Sequence, residues 1–137
     1  MIPARLAALH RAAFANTRGW SAEEFATLLE RPGAIVVEAP EGFALGQAVI
    51  DEAELLALAV APAARRRGLG RRLLRDFERA ARKAGAARAF LEVATDNLPA
   101  VALYRAAGWS ESGRRPGYYP RTGAPACDAV ILAKHLA

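Results

Sequence analysis

Apolar positions along the 137-residue chain recur with two periods, and the change of period marks the elements. Residues 2–14 carry a helical stripe of Leu6, Leu9 and Ala13 behind Pro3, a helix-start residue. Asn16 to Gly19 read as a loop. Ser21 with Glu24 three residues on is a capping-box pattern, and Phe25, Leu28 and Leu29 give the helix it opens an apolar face. Trp20, just before the cap, is expected either to staple that helix start or to line a substrate groove. Three strands are expected next, over residues 34–39, 43–50 and 54–60. Pro40-Glu41-Gly42 and the acidic pair Asp51-Glu52 separate them, as in an antiparallel meander. The period then returns to helical, with Leu69, Leu73, Phe77, Ala80 and Ala84 on one face before Gly85. A strand over 88–95 follows, and strand–helix–strand implies a right-handed parallel crossover. Asn97 caps a helix with Pro99 in its first turn, which carries Val101 and Tyr104 on to Gly108. Short strands at 109–111 and 128–133 are expected to flank a long loop, 113–126. The pattern describes one mixed α/β domain over residues 1–137.

Composition narrows the chemistry. Hydrophobic residues make up 53% and charged residues 24%, ordinary for a globular protein. The single cysteine, Cys127, excludes an internal disulfide and a cysteine-rich metal site, and two distant histidines make a histidine metal site unexpected. No apolar run approaches the ~18 residues of a membrane helix and no signal peptide opens the chain, so a cytoplasmic protein is expected.

The net charge of +5 and a pI near 10.1 raise nucleic acid as a partner. The charge is local, however. Six arginines lie between Arg65 and Arg75, and taking them from +5 leaves −1. They surround Gly68 and Gly70, where an apolar strand ending at Pro62 passes into a helix. Glycines let the backbone approach a phosphate, and the first-turn N–H groups of a helix are unpaired donors. Arginine adds a fork suited to phosphate oxygens. A concentrated patch of this kind favours a small phosphorylated ligand over a duplex. Neither a GxxxxGK[ST] loop nor a three-glycine dinucleotide loop is present. What remains is Arg65-x-x-Gly68-x-Gly70 after a strand, read as a pyrophosphate cradle.

That motif resembles the coenzyme A signature of the GCN5-related N-acetyltransferases, [QR]-x-x-G-x-[GA] between a strand and a helix. Trp20-Ser21, Leu91-Glu92-Val93, Asn97, Ala102-Leu103-Tyr104 and Tyr118-Tyr119-Pro120 further resemble the ribosomal-protein alanine N-acetyltransferases within it. The resemblance implies a mixed, mostly antiparallel sheet with a central parallel crossover and helices on both faces. The family's usual first strand is expected to be missing, because residues 1–3 are too short to supply it. Acetyl-CoA is the implied cosubstrate. Leu58, Ala59 and Val60 would hold the pantetheine arm through their backbone. Arg65, Arg66, Arg67, Gly68, Leu69 and Gly70 would hold the pyrophosphate, and Asn97 would contact the cofactor.

Transfer of acetyl to an amine needs a base, because an α-amino group (pKa about 7.7–8.0) attacks only when neutral, and an acid for the departing thiolate. Glu92 breaks an apolar strand that disfavours glutamate, and alternation places it with Phe90 and Ala94. Strand pattern alone leaves it either a solvated face or a base; the resemblance implies the base. Tyr104, two turns beyond Asn97, reads as core or as acid, and the resemblance implies the acid. Trp20, Tyr118 and Tyr119 are the implied acceptor contacts, with Arg114, Arg115 and Arg121 around them. The expected function is N-terminal acetylation of a protein, possible partners including a ribosomal protein. A small-molecule amine acceptor and a non-enzymatic nucleic-acid module are the alternatives.

Overall fold

The computed structural model describes residues 2–14 and 20–136; the loop expected at Asn16 to Gly19 lies outside them. The elements run α1 Ile2–Ala13, α2 Ala22–Glu30, β1 Ala34–Ala39, β2 Gly42–Val49, β3 Glu52–Val60, α3 Leu69–Lys83, β4 Arg88–Ala94, α4 Leu98–Ala106, β5 Ser110–Tyr119 and β6 Cys127–His135. One sheet holds all six strands in the order β1-β2-β3-β4-β6-β5. Only β3 and β4 run parallel, joined by the α3 crossover; the other pairs are antiparallel.

Each face of the sheet buries its own apolar cluster. Leu73, Leu74 and Phe77 of α3 and Tyr104 of α4 pack with Ala53, Leu55, Leu91 and Leu132 on one face. Leu6 of α1 and Phe25 of α2 pack with Phe43, Leu45, Ala57 and Ala59 on the other. Helices therefore cover both faces, as expected.

Two irregularities in β3 matter most. Leu45 pairs with Ala57 but Gly46 pairs with Leu55, so Leu56 is an extra residue, a β-bulge that reverses the facing of the strand. Ala53 and Leu55 face α3, whereas beyond the bulge Leu58 and Val60 do so and Ala57 and Ala59 turn to α1. In addition, β3 pairs with β4 only at Glu52–Arg88, Ala53–Ala89 and Glu54–Phe90. Past Glu54 the two strands part, and the sheet opens as a V between residues 55–60 and 91–94.

The C-terminal region corrects the sequence expectation. In place of a short strand and a loop over 113–126, β5 runs ten residues, and only 120–126 link it to β6. Sequence pattern hides this strand because it lies at the sheet edge with most residues exposed, so no apolar alternation marks it. An edge also tolerates Pro116. Register slips between Arg115 and Tyr119, where Gly117 takes φ 60° and donates its N–H to the Asp128 carboxylate at 2.9 Å. Trp109 precedes the strand and is buried. The β2–β3 turn falls at Ile50-Asp51, so Glu52 belongs to β3.

Candidate active site

A cleft of about 620 Å³ opens where the V of the sheet meets the start of α3. Leu58 and Val60 of β3 form one wall and Asn97, Leu103 and Tyr104 the other; Arg65, Arg66, Gly68, Leu69 and Gly70 close its outer end. Most of the residues expected to hold a coenzyme thus meet in one place. Arg67 and Ala59 do not line the cleft. Ala59 faces the opposite side of the sheet, 1% exposed, so only its backbone lies along the V.

The loop before α3 is shaped by two left-handed residues, Arg66 at φ 65° and Gly68 at φ 77°. Gly68 is the N-cap of α3 and offers no side-chain cap, and the first backbone bond back into the loop is Arg72 N–H to the Gly68 carbonyl at 3.1 Å. The N–H groups of Leu69, Gly70 and Arg71 are therefore available at the positive end of a 15-residue helix with no acidic residue in its first turn. A Cβ on Gly70 would point between Leu103 and Val60, 3.4 and 3.8 Å from their side chains, into the space of the cleft. This is a cradle that a pyrophosphate fits. Arg65, which lines the cleft, also donates from its guanidinium to the Ala13 carbonyl at 2.6 Å, tying the loop to the end of α1. Ala13 and Phe14 join the cleft wall as a result, which local sequence pattern does not show.

Asn97 caps α4 by accepting the Ala100 N–H at 3.4 Å, which leaves its amide NH₂ as a donor at the cleft. Tyr104 is 7% exposed, its ring 6.0 Å from that of Trp109. Burial pushes its phenol well above the ordinary tyrosine range, so it holds its proton at neutral pH.

Glu92 does not line this cleft. Leu91 and Val93 face α3, so Glu92 projects from the other face of β4. There Arg115 of β5 pairs with it at 2.9 Å. Arg115 also lies 5.2 Å over the Tyr118 ring, Arg121 lies 5.7 Å over the Tyr119 ring, and the two tyrosines meet edge to face at 5.0 Å. Arg121 holds both carboxylate oxygens of Asp96 at 2.9 Å, fastening the β5–β6 turn beside the start of α4. Burial and the Glu92 charge raise the Tyr119 phenol. Trp20 stacks on His10 at 5.1 Å and meets Phe25 at 5.4 Å, while its backbone N–H donates to His10 Nδ1. Ser21 and Glu24 form the expected capping box beneath it. A further acidic residue, Glu54, shares the Glu92 face. Its signal in the sequence is the one Glu92 gives, a glutamate inside an apolar strand.

The two faces thus hold complementary halves of a site, joined through the gap between β3 and β4. An anion cradle and a protonated phenol lie on the α3 side, and carboxylates with an aromatic, basic rim on the other. The acetyltransferase (GNAT) family model matches residues 6–109, and the chain belongs to that family. Over 91 residues it is 44% identical to the ribosomal protein bS18-alanine N-acetyltransferase of Escherichia coli (strain K12). That match takes in 66% of this chain, which spans 61% of the length of that curated relative. The crystal structure of the ribosomal-protein-S18-alanine N-acetyltransferase from Escherichia coli superposes with a TM-score of 0.85 at 34% identity, covering 99% of this chain and 88% of that one. A putative acetyltransferase from Salmonella typhimurium, solved with its cofactor acetyl-CoA, shares the fold with a TM-score of 0.80 at 20% identity, covering 98% and 88%.

Proposed function

We propose that this protein transfers acetyl from acetyl-CoA to the N-terminal α-amine of a protein, with an alanine-starting peptide as the model acceptor. The observation that carries the proposal is the two-sided site, a phosphate cradle and phenol on one face of the V and a carboxylate on the other. The relation to the bS18-alanine enzyme supports the acceptor class.

Acetyl-CoA supplies the acetyl group as an activated thioester. The α3 N-terminus, with Gly68, Leu69, Gly70 and the Arg65 and Arg66 side chains that line the cleft, holds its pyrophosphate; Arg65 also braces the loop, and Arg67 adds positive charge beside it. Leu58, Ala59 and Val60 pair their unpartnered strand edge with the pantetheine arm, and a backbone N–H there meets the charge that develops on the carbonyl oxygen. The Asn97 amide donates to the cofactor. The amine enters from the opposite face, where Glu92 takes its proton, directly or through water. Tyr104 gives its phenolic proton to the departing sulfur. Tyr118 and Tyr119 hold the first residues of the acceptor, and Trp20 supports the wall behind them through His10 and Phe25.

Acetyl-CoA turnover with an alanine-starting peptide, compared with a panel of small amines, tests the proposal. Glu92→Gln should lower peptide turnover about 10²–10⁴-fold near neutral pH without changing acetyl-CoA affinity. Turnover on small amines alone would overturn the acceptor class, and an unchanged rate in Glu92→Gln would move the base elsewhere.

A further inference from the structure

Glu54 is the last residue of β3 to pair with β4, at the vertex of the V, and it has no part in the proton transfers above. Because the bulge at Leu56 comes after it, Glu54 faces away from Ala53 and Leu55, on the same side of the sheet as Glu92. It is half-buried, and among the described residues no hydrogen bond or ion pair engages its carboxylate. The charged groups that act on it are Glu92 from β4 and Arg115 from β5; its cross-strand neighbour on β2 is the neutral Gln47. No charged group of α1 or α2 among the described residues acts on it. Two carboxylates therefore share one guanidinium, which itself sits on Glu92. The vertex keeps a net charge of −1, placed where the acceptor side opens to the cleft.

A half-buried, unpaired carboxylate is costly, and a fold keeps one where a cation completes it. An α-amine is an ammonium below about pH 7.7–8.0, so the acceptor arrives carrying that cation. We infer that Glu54 is an acceptor-binding residue: with Glu92 it forms a paired-carboxylate receptor for the α-ammonium, placing the amine at the vertex of the V before Glu92 removes its proton. Burial and repulsion from Glu92 raise the proton affinity of Glu54, which accords with a site lacking its counter-cation. The inference rests on the acetyltransferase reading and adds to it the charge state in which the acceptor binds.

The test is the acceptor KM of Glu54→Gln relative to wild type, measured with an alanine-starting peptide at about pH 6.5 and at about pH 9, on either side of the amine pKa. The expected result is a KM raised about tenfold or more at the lower pH, where a charged hydrogen bond is lost, and little changed at the higher. Glu54→Asp should restore part of the loss, and the acetyl-CoA dissociation constant should stay as in wild type. A merely structural role would raise KM equally at both pH values, and that result, or no rise at all, overturns the inference. Arg115→Met gives a second test of opposite sign, since removing the shared guanidinium should lower the peptide KM at the lower pH; an unchanged or raised KM there counts against the receptor. Absence of acetyl transfer to any amine would sink the acetyltransferase reading itself. Transfer that proceeds with a pH-independent Glu54→Gln effect would sink the receptor alone.

Discussion

Burial raises the pKa of both Tyr104 and Glu54, with different consequences for each. Burial of Tyr104 keeps its proton in place at neutral pH, and in the proposed reaction that proton goes to the departing sulfur. Tyr104→Phe removes only the hydroxyl, so the fold and acetyl-CoA affinity should persist while turnover falls about 10²-fold, as single-turnover kinetics would show. Glu54 has a raised pKa, so the folded protein binds that proton more tightly than the unfolded chain does. Its contribution is therefore neutral at low pH and becomes destabilising as pH climbs through the ordinary value of 4.5 toward the raised one. Glu54→Gln should accordingly match wild-type stability in acid and exceed it at neutral pH. Urea unfolding across that range checks the sign; a variant less stable than wild type at pH 7 would contradict it.

The loop before α3 and the helix form one element, because the helix start carries the unpaired N–H groups and the glycines leave them uncovered. Gly68 holds φ 77° in open space, so any other residue there costs about 1 kcal/mol of backbone strain without blocking the cleft. Gly70 is the reverse case: a Cβ fits the fold in ordinary contact with Leu103 and Val60 but occupies the cleft. Gly70→Val should therefore remain folded and weaken acetyl-CoA at least about tenfold, a 1.4 kcal/mol change that calorimetry resolves. An unchanged dissociation constant would remove the cradle from the site. β5 presents a different lesson. An exposed edge strand carries almost no apolar pattern, so its arginines and tyrosines stand out in the chain more readily than its strand state.

At the scale of the molecule, a buried polar network locks α3 to the far end of the sheet. Glu78 of α3, 7% exposed, accepts the Trp109 indole N–H at 3.1 Å and the Lys134 ammonium at 2.7 Å, and Lys134 also donates to the Ala107 carbonyl at 2.8 Å. The network joins α3, the end of α4 and β6. Lys134→Met should cost about 3 kcal/mol, the low end for breaking a buried pair, because Lys134 keeps 28% exposure. Adding Glu78→Gln should recover much of that loss, and a double-mutant cycle in urea separates the pair from simple packing. Both variants should leave acetyl-CoA affinity unchanged, since neither Glu78 nor Lys134 lines the cleft.

Helix positions, the meander, the crossover and the cradle motif were all legible in the chain, because each rests on contacts within a few residues: apolar period, capping residues, glycine turns. Glu92 stood out for the same local reason, a charge inside an apolar strand. Which face each residue serves was decided only in three dimensions. The Leu56 bulge reverses β3 halfway along, placing Leu58 and Val60 on the α3 side while Glu54 joins Glu92 on the other. A bulge depends on the pairing of two strands, and nothing local to residues 54–60 announces it. Likewise the tie from Arg65 to the Ala13 carbonyl depends on where α1 packs, and Arg115 reads as loop charge until β6 sets β5 within reach of Glu92 on β4. Short-range physics determined the parts; long-range pairing decided which of them share a site.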